Sequence, residues 1–235
     1  VMFSCIDQLL KKNKVKARDV DIVIVNCSLF NPTPSLTAMI INNYKMREDV
    51  VSFNLSGMGC SAGVIAVHLA GELLQTHPKK DPIAIVVSME NITQNVYWGH
   101  ERAMMVANSL FRMGGAALML TKHAVGQRGK PDPQWRLNHL VRVHLGADSS
   151  AYTCVFQDVD KDGILGVRLD KNLMHVAARA LERNMVVLGP KILPLSEKLR
   201  YAAREALRMF TVWRHPEQAK TYPRTVPDFK SAVQH

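Results

Sequence analysis

The chain has 235 residues, of which 47% are hydrophobic and 21% charged, proportions that exclude an intrinsically disordered chain. Its formal net charge of +10 predicts an anionic partner, such as an anionic membrane surface or a phosphate-bearing ligand. The sequence contains no paired Cys/His zinc spacing, no RNP-like aromatic strand and no dense Lys/Arg block, so nucleic-acid binding is not expected.

The four cysteines, Cys5, Cys27, Cys60 and Cys154, are widely spaced and form no CxxC pair. This spacing indicates free thiols in a reducing compartment rather than a secreted disulfide framework. The sequence begins at Val1 instead of Met, within a helical pattern, and contains no signal peptide or transmembrane run. We therefore expect the chain to be a piece of a longer protein that lacks both ends.

Helical and strand-like patterns alternate along residues 1–125. Apolar residues at helical spacing predict helices at residues 2–12, 35–45, 60–77 and 101–109. Short apolar runs predict strands buried on both faces at residues 21–25, 50–55, 82–88 and 116–121. Because strands of this kind that alternate with helices form parallel sheets, we predict an α/β fold. A mostly parallel sheet with right-handed crossovers would lie between layers of helices.

The pattern changes after a basic, turn-rich break at residues 126–133. Strands are predicted at residues 137–143, 151–157 and 166–169. Helical spacing then extends from residue 170 to residue 210, with breaks at Gly189-Pro190 and at Pro194. We therefore divide the chain into residues 1–125 and residues 126–235, the second part being a strand-rich extension followed by a basic helical segment.

The helix predicted from about Ser196 to Phe210 is amphipathic, since its leucines and alanines share a face with Phe210. Outside that face lie the basic residues Lys198, Arg200, Arg204 and Arg208. Two interpretations stay open. The helix packs its apolar face into the core, or it lies on an anionic membrane surface.

Residues 158–163 read Asp-Val-Asp-Lys-Asp-Gly and match the beginning of a calcium-binding EF-hand loop. The twelfth loop position, which must supply a bidentate glutamate, is Leu169, and the flanking residues have strand patterns. We therefore predict a polar hairpin turn instead of a calcium site. The nine histidines show no metal-ligand spacing either, and we expect no metal and no resident cofactor.

Cys60 lies in the run Gly57-Met-Gly-Cys-Ser-Ala-Gly63, at the turn from a predicted strand into a predicted helix. Glycines permit a sharp turn and a close approach of substrate to the backbone. The N–H groups and the positive end of a helix favour the thiolate form of a nearby thiol and can receive an oxyanion. On this pattern alone, a nucleophile and a small buried cysteine are equally good interpretations.

Seven runs resemble the plant and algal 3-ketoacyl-CoA synthases, which are the condensing enzymes of very-long-chain fatty acid elongation. In collinear order they are residues 25–35, 57–63, 88–95, 108–115, 141–148, 188–197 and 227–230. This resemblance covers nearly the whole chain and favours Cys60 as the nucleophile. The departures are few, since Ser109 stands where the family often has cysteine and Ala107 where it often has proline.

The resemblance implies a thiolase-like fold of αβαβα layers, with residues 1–125 as the N-terminal half that carries the nucleophile. It implies that Cys60 accepts a long acyl chain from acyl-CoA. Malonyl-CoA then loses carbon dioxide, and the resulting carbanion attacks the Cys60 thioester to release 3-ketoacyl-CoA. The neighbouring Gly57, Gly59 and Ser61 would form the turn and its oxyanion-binding N–H groups.

In the resembled family a histidine and an asparagine hold the malonyl thioester oxygen, and both correspond to positions beyond residue 235. We therefore expect residues 1–235 alone not to catalyse condensation. His144 and His235 are the histidine candidates within the chain. His144 stands at a position that is histidine in the family, and it has either a catalytic or a hydrogen-bonded structural role. His235 resembles the histidine just before the catalytic stretch.

The resemblance also implies acyl-CoA and malonyl-CoA as partners, a homodimer, and a location on the cytosolic face of the endoplasmic reticulum membrane. A chalcone-synthase-like or initiating ketoacyl synthase is an alternative with the same type of nucleophile. The runs Asn-Pro-Thr-Pro-Ser at residues 31–35 and Glu-Asn-Ile-Thr-Gln-Asn at residues 90–95 argue against it. A truncated, non-catalytic partner subunit is the alternative from another functional class.

Overall fold

The structure is a computed structural model, and it describes residues 1–122, 133–215 and 226–232. The chain divides into two compact units. One unit consists of residues 1–136 and 156–169, and the other of residues 137–155 and 170–235. No helix within the described ranges is long and apolar enough to cross a bilayer.

All eight elements predicted for residues 1–125 are present, and their ends lie within two residues of the predicted ones. The helices are α1 (Met2–Asn13), α2 (Leu36–Tyr44), α3 (Ala62–Thr76) and α4 (Arg102–Leu110). The strands are β1 (Ile22–Asn26), β2 (Val51–Leu55), β3 (Ile83–Glu90) and β4 (Gly114–Thr121). Local hydrophobic spacing was sufficient to locate these elements.

The helix ends follow from local chemistry. The Ser35 hydroxyl accepts a hydrogen bond from the Ala38 N–H and so caps the beginning of α2. Both α1 and α2 end at a lysine in the left-handed conformation, Lys14 and Lys45, whose backbone N–H groups satisfy carbonyls of the last turn. These caps stop each helix before the chain turns back towards the sheet.

The first four strands form one sheet in the order β2-β1-β3-β4. The central strand β1 runs parallel to both β2 and β3, with Ile24 opposite Phe53 on one side and Val86 on the other. The fourth strand pairs antiparallel to β3. The predicted mostly parallel sheet is therefore confirmed, and the carboxyl ends of its three parallel strands lie at one edge.

Helices cover both faces of this sheet because successive strand residues point to opposite sides. Val23 and Val25 pack in a cluster with α1 and α2, whose buried residues include Ile6 and Ile40. Ile22 and Ile24 belong to a second cluster, which contains the α3 residues Ala66, Ala70 and Leu74 together with Ala84 and Val86 of β3. This three-layer arrangement buries β1 completely and fixes α3 against the sheet.

The prediction that β2 is buried on both faces was wrong. This strand is at the edge of the four-stranded sheet, and its residues Ser52 and Phe53 are exposed. The same prediction was wrong for β4, which lies at the opposite edge and leaves Ala116 and Leu118 exposed. An apolar run therefore identified a strand correctly, but its position in the sheet is set by pairing with distant residues, which local spacing does not encode.

Strands β5 (Val155–Val159) and β6 (Leu165–Leu169) form a separate two-stranded sheet. The Asp160 carboxylate lies in the turn between them and accepts hydrogen bonds from the N–H groups of Asp162 at 2.9 Å and Ile164 at 2.8 Å. It also accepts one from the hydroxyl of the buried Tyr97. The Tyr97 hydrogen bond and these backbone N–H groups lower the pKa of Asp160. The predicted polar hairpin turn is confirmed.

The second unit contains helices α5 (Ser149–Tyr152), α6 (Leu173–Ile192) and α7 (Leu195–Arg214). The strand predicted at residues 137–143 was wrong, since these residues have no regular secondary structure. The strand predicted at residues 151–157 was partly wrong. Asp148 caps the short helix α5 by accepting from the Ser150 N–H, and the strand begins only at Val155.

The break predicted at Gly189-Pro190 was also wrong, because α6 continues through both residues to Ile192. Pro190 lies in the last turn of the helix and lacks the N–H that would donate to the Val186 carbonyl. Gly189 is buried, and a Cβ atom built on it would be 3.4 Å from the Phe229 ring. The break at Pro194 is present between α6 and α7, as predicted.

Candidate active site

Cys60 lies just beyond the carboxyl end of β2, at the edge of the sheet where the three parallel strands end. In open α/β sheets this edge is where ligands bind. The chain passes from β2 through a 3-10 turn at Gly59–Ser61 and directly into α3, which begins at Ala62. The predicted turn from strand to helix is therefore present, with the regular helix starting two residues later than predicted.

The turn depends on two glycines in the left-handed region. Gly57 has φ +70° and Gly59 has φ +63°, a backbone conformation that other residues adopt only with strain. The space around both is open, since a Cβ atom at either position would meet nothing within 4 Å. Backbone conformation, rather than crowding, therefore requires glycine here. The Ser61 hydroxyl closes the turn by donating to the Met58 carbonyl oxygen at 2.8 Å.

Helix α3 is held close to the sheet by small residues. Ala62, Ala66 and Ala70 are fully buried. A Cβ atom at Gly63 would lie 3.4 Å from the Ser88 hydroxyl oxygen, and that hydroxyl donates to the Asn26 side chain at 2.6 Å. The first turn of α3 therefore packs against the carboxyl ends of β1 and β3, which fixes the helix start that follows the nucleophile turn, residues 57–61.

The start of α3 is suited to binding negative charge. Ser61 makes no side-chain capping hydrogen bond, and the first turn of the helix contains no acidic residue. The Ala62 N–H donates to the Gly59 carbonyl in the 3-10 turn, but the N–H groups that follow it in the first turn of a helix have no partner within the helix, and the dipole makes this end positive. Both effects suit this end of α3 to receive the oxyanion that forms when Cys60 attacks a thioester.

Exposure distinguishes Cys60 from the other cysteines, all four of which lie in described parts of the chain. Cys60 is exposed, whereas Cys27 and Cys154 are buried and Cys5 is partly buried. The thiol of Cys5 donates to the Gly115 carbonyl at 3.3 Å, and that of Cys154 donates to the Ala151 carbonyl at 3.0 Å. These contacts are typical of packing residues, so geometry selects Cys60 as the candidate nucleophile.

A carboxylate that the sequence analysis missed lies near this turn. Glu90, the last residue of β3, accepts hydrogen bonds from the N–H groups of Ser28 at 2.9 Å and Leu29 at 3.0 Å. It also accepts one from the Cys27 thiol at 3.2 Å. The Ser28 hydroxyl in turn donates to the Gly59 carbonyl at 3.3 Å. An acidic residue directly after a continuous apolar strand was the only local signal for this group.

Three of the remaining predicted site residues lie in the same unit as Cys60. Gly57, Gly59 and Ser61 adjoin it in the turn. His144 belongs to the second unit, where it is exposed and its Nδ1 atom accepts from the Gly146 N–H at 3.0 Å. His235 lies outside the described residues. Catalytic roles for the two histidines therefore stay predictions.

The two histidines on and directly after α3 have local partners. His68 lies 3.6 Å from the Glu72 carboxylate one turn along the helix. His77, at the end of α3, accepts a hydrogen bond from the Lys79 N–H at 3.2 Å. Among the residues that the structure describes, no group of three or more His, Cys, Asp or Glu side chains is arranged to hold a metal ion.

The sequence matches a known protein family over most of its length. Residues 1–209 match the family described as FAE1/Type III polyketide synthase-like protein. The chain is 49% identical to 3-ketoacyl-CoA synthase 6 of Arabidopsis thaliana over 100% of this chain and 45% of the relative. It is 48% identical to probable 3-ketoacyl-CoA synthase 20 of Oryza sativa subsp. japonica over 100% of this chain and 43% of the relative. The chain thus spans less than half the length of these curated relatives.

Solved structures share the fold at low sequence identity. A type III pentaketide synthase from Neurospora crassa superposes with a TM-score of 0.64 at 18% identity, covering 83% of this chain and 53% of that one. Tetrahydroxynaphthalene synthase of Streptomyces coelicolor, a bacterial type III polyketide synthase, gives 0.60 at 23% identity over 77% and 50%. CsyB complexed with CoA-SH gives 0.62 at 17% identity over 78% and 50%. The predicted thiolase-like fold class is confirmed.

Proposed function

This chain belongs to the FAE1/type III polyketide synthase-like family, and from that membership we propose that Cys60 is the acyl-carrying nucleophile of a condensing acyltransferase. The observation that carries the proposal is the exposed Cys60 thiol just before α3. It follows Gly59, which has a positive φ, and precedes Ser61, which makes no capping hydrogen bond to the helix start. The reaction is the condensation of an acyl group with malonyl-CoA, as in a 3-ketoacyl-CoA synthase.

The first half-reaction transfers the acyl group to the protein. The Cys60 thiolate attacks the thioester carbon of acyl-CoA, and the carbonyl oxygen becomes an oxyanion that N–H groups at the start of α3 are suited to stabilise. The carbonyl then re-forms, and the coenzyme A thiolate leaves and takes up a proton. The product is an acyl thioester on Cys60 that the rigid turn holds at the sheet edge.

The second half-reaction forms the carbon–carbon bond. Malonyl-CoA loses carbon dioxide, and the electron pair of the broken bond remains as an enolate of acetyl-CoA. This carbanion attacks the Cys60 thioester, the cysteine leaves as thiolate, and 3-ketoacyl-CoA is released. The groups that hold the enolate oxygen are not assigned to any described residue, and His144 is retained only as a candidate.

The relatives support fatty acyl elongation over polyketide synthesis. Two curated relatives, which are named 3-ketoacyl-CoA synthases, share 48–49% identity with the chain. The type III polyketide synthases described above share 17–23% identity. We therefore propose long-chain acyl-CoA and malonyl-CoA as the substrates of the full-length protein. Its proposed role is very-long-chain fatty acid biosynthesis.

The test is single-turnover transfer from a radiolabelled long-chain acyl-CoA to the full-length protein. The expected result is a covalent, hydroxylamine-labile label on Cys60 and chain-elongated 3-ketoacyl-CoA after malonyl-CoA is added. Cys60→Ser should abolish both the thioester and the product while the circular dichroism spectrum is unchanged. Undiminished product from Cys60→Ser would overturn the proposal.

We also propose a homodimer, as the resemblance implies. Apolar side chains near the nucleophile turn support it, because Phe53 is 38%, Met58 44% and Val64 59% exposed. An apolar patch of this kind is typical of an interaction surface. Sedimentation analysis is expected to give the mass of a dimer and Val64→Asp is expected to shift the protein towards the monomer. A monomer at all concentrations would contradict this proposal.

Helix α7 supports a membrane-surface location, because its apolar side faces outward. Along this side the most exposed side chains are Leu195 at 70%, Leu199 at 62%, Leu207 at 67% and Trp213 at 78%. Glu197, by contrast, is only 5% exposed. Its carboxylate pairs with Arg200 at 2.6 Å and accepts a hydrogen bond from the Asp228 N–H at 3.4 Å.

The charged side chains of α7 also divide into covered acidic groups and exposed basic groups. Both of its carboxylates, Glu197 and Glu205, are largely covered and engaged with arginines. Arg200, Arg204 and Arg214 are exposed, so the outward surface combines apolar and basic groups. Arg208, which was predicted to add to this basic surface, is instead half-buried beside Glu205.

Apolar side chains flanked by basic ones suit a helix that lies in the interface of an anionic bilayer. We therefore propose that α7 contacts the membrane on the cytosolic side of the endoplasmic reticulum, where the substrates of the proposed reaction partition. The insertion of Leu195, Leu199 and Trp213 would remove exposed apolar surface from water. Arg200 and Arg204 would meet lipid phosphates.

A further inference from the structure

We infer that Glu90 is a positioning residue for the nucleophile turn and that it acts through Ser28. This inference rests on the proposed function of Cys60 as acyl carrier. Glu90 does not touch the thiol of Cys60. Its two carboxylate oxygens hold three consecutive residues that follow β1, and the middle one of these residues contacts the turn.

The Glu90 carboxylate accepts hydrogen bonds from each residue of the segment 27–29. One oxygen accepts from the Ser28 N–H at 2.9 Å, and the other from the Leu29 N–H at 3.0 Å and the Cys27 thiol at 3.2 Å. Among the described residues no ion pair involves Glu90, so its charge acts on these donors. Hydrogen bonds to an ionised carboxylate are stronger than those between neutral groups, and three of them fix the segment 27–29.

Cys27 anchors the segment from a second direction. Its backbone N–H donates to the Leu55 carbonyl at 3.1 Å, at the end of β2 where the nucleophile turn begins. Its side chain is 1% exposed. The segment held by Glu90 is therefore attached to the strand that carries the turn, and a displacement of Ser28 would be resisted at both neighbours.

The link to the nucleophile is one hydrogen bond. The Ser28 hydroxyl donates to the Gly59 carbonyl at 3.3 Å. The Gly59 carbonyl and the Cys60 N–H belong to the same planar peptide group, so a group that holds the oxygen also fixes the direction of the N–H. Gly59 has φ +63° and is the residue in which other backbone conformations are most accessible. The Gly59 carbonyl also accepts from the Ala62 N–H, so Ser28 supplies the second of two hydrogen bonds that oppose rotation of this peptide group.

The direction of the Cys60 N–H matters for acyl transfer. An N–H beside the attacking sulfur is placed to stabilise the oxyanion formed during acylation, and such donors act only when they are aligned in advance. The 3.3 Å bond is the longest in this series of contacts, so it is the step on which the inference depends. Loss of this bond is expected to slow acylation while the thiol stays exposed.

The test compares variants of the full-length protein in single-turnover acylation by a long-chain acyl-CoA. Ser28→Ala removes the hydroxyl and is expected to lower the acylation rate by about threefold to tenfold, the worth of one hydrogen bond. Ser28→Thr keeps a hydroxyl and is expected to restore most of the rate. Glu90→Gln, which loses the charge, is expected to cost at least as much as Ser28→Ala.

The matched control is Thr76→Val at the far end of α3. Thr76 also donates its hydroxyl to a backbone carbonyl, that of Glu72 at 3.1 Å, but lies 16 residues along the chain from Cys60. This variant is expected to acylate at the unmodified rate. Alkylation of Cys60 by iodoacetamide, which forms no oxyanion, is expected to change by less than about twofold in Ser28→Ala.

An unchanged acylation rate in Ser28→Ala would overturn the inference, as would failure of Ser28→Thr to restore activity. An equal loss in Thr76→Val would also overturn it, since any removed hydroxyl would then suffice. A double variant gives a further criterion. If Ser28 and Glu90 act through the same contacts, Ser28→Ala is expected to lower the acylation rate only slightly more when Glu90→Gln is already present. The proposed function itself is tested separately, by whether the unmodified protein is acylated on Cys60 and Cys60→Ser is not, so the two failures are distinguishable.

Discussion

The thiol of Cys27 donates a hydrogen bond to the Glu90 carboxylate at 3.2 Å, and Cys27 is 1% exposed. Burial first, and this carboxylate second, raise the pKa of the Cys27 thiol. A raised pKa keeps the sulfur protonated at neutral pH, and the thiol form is a poor nucleophile. We therefore expect iodoacetamide to alkylate Cys60 first and Cys27 last. Peptide mapping after timed alkylation of the full-length protein measures this order.

The control for this prediction is Cys60→Ser, in which the fast phase of alkylation should disappear. Because the pKa of Cys27 is raised, its own alkylation should accelerate only as the pH rises above neutrality. Faster reaction of Cys27 or of Cys154 than of Cys60 at neutral pH would contradict the assignment of the nucleophile.

A side chain at Gly59 is expected to strain the nucleophile turn. Its φ of +63° would cost an L-residue about 1–2 kcal/mol, although a Cβ atom there would meet nothing within 4 Å. Gly59→Ala should therefore lower the free energy of unfolding by about this amount or relax the turn, and acylation of Cys60 should slow in either case. Urea unfolding and single-turnover acylation measure the two effects.

Gly114→Ala is the matched control for Gly59→Ala. Gly114 also has open space where an added methyl group would lie, but it begins β4 and is not in the left-handed region. We expect this change to leave both acylation and the free energy of unfolding nearly unchanged. Equal effects of the two substitutions would show that backbone conformation at Gly59 is not what the site requires.

The features that the sequence predicted are those that local patterns encode. Cys60 was located at a strand-to-helix turn because Gly57 and Gly59 mark the turn and apolar spacing marks the helix after it. The central strand β1 was recognisable from the four consecutive apolar residues 22–25, which are bounded by Asp21 and Asn26. Each of these signals lies within a few residues of the feature it predicts.

The features that were missed depend on distant partners. The three donors that link Glu90 to the segment 27–29 lie 61–63 residues away in the chain, so no local pattern indicated that carboxylate as part of the site. Strand β2 lies at the edge of the sheet because, among the described strands, it pairs only with β1. The break expected at Gly189-Pro190 was wrong because a proline does not by itself end a helix, and α6 continues two residues beyond Pro190 to Ile192.

A buried carboxylate ties together the other edge of the sheet. Asp21 is 1% exposed and accepts hydrogen bonds from Arg47, Lys79 and the Ile83 N–H, each at 2.9 Å. Asp21→Asn would leave these donors without a charged acceptor. We expect it to lower the free energy of unfolding by about 2–3 kcal/mol, as for hydrogen bonds to charged groups. Asp49→Asn is the control, since Asp49 contacts the same arginine but is exposed, and little change is expected.

The effect of Asp21 should depend on pH. Burial acts to raise the pKa of Asp21, but the Ile83 N–H, Lys79 and Arg47 outweigh it, so the pKa is lowered in the folded state. A lowered folded-state pKa stabilises the protein above the unfolded value of about 3.9, and this contribution is lost as the pH falls through the folded-state value. The stability difference between the protein and Asp21→Asn should therefore shrink in acid. A difference that grows on acidification would contradict the assignment.

The last prediction concerns the outward side of α7, where Trp213 is 78% exposed and supplies a local probe. In the full-length protein on vesicles of anionic phospholipid, brominated acyl chains should quench Trp213 fluorescence. The fluorescence of Trp213 is obtained as the difference between the protein and the Trp213→Phe variant. This difference reports contact by α7 whatever other segments bind the bilayer. Arg200→Gln with Arg204→Gln should weaken that contact by about 2 kcal/mol, roughly 30-fold in partitioning, because each basic residue at an anionic surface contributes about 1 kcal/mol.

Lys11→Gln with Lys12→Gln removes the same charge from exposed positions on α1 and should leave the quenching unchanged. Absence of Trp213 quenching, or equal losses in the two double variants, would show that the apolar side of α7 is covered by protein rather than lipid.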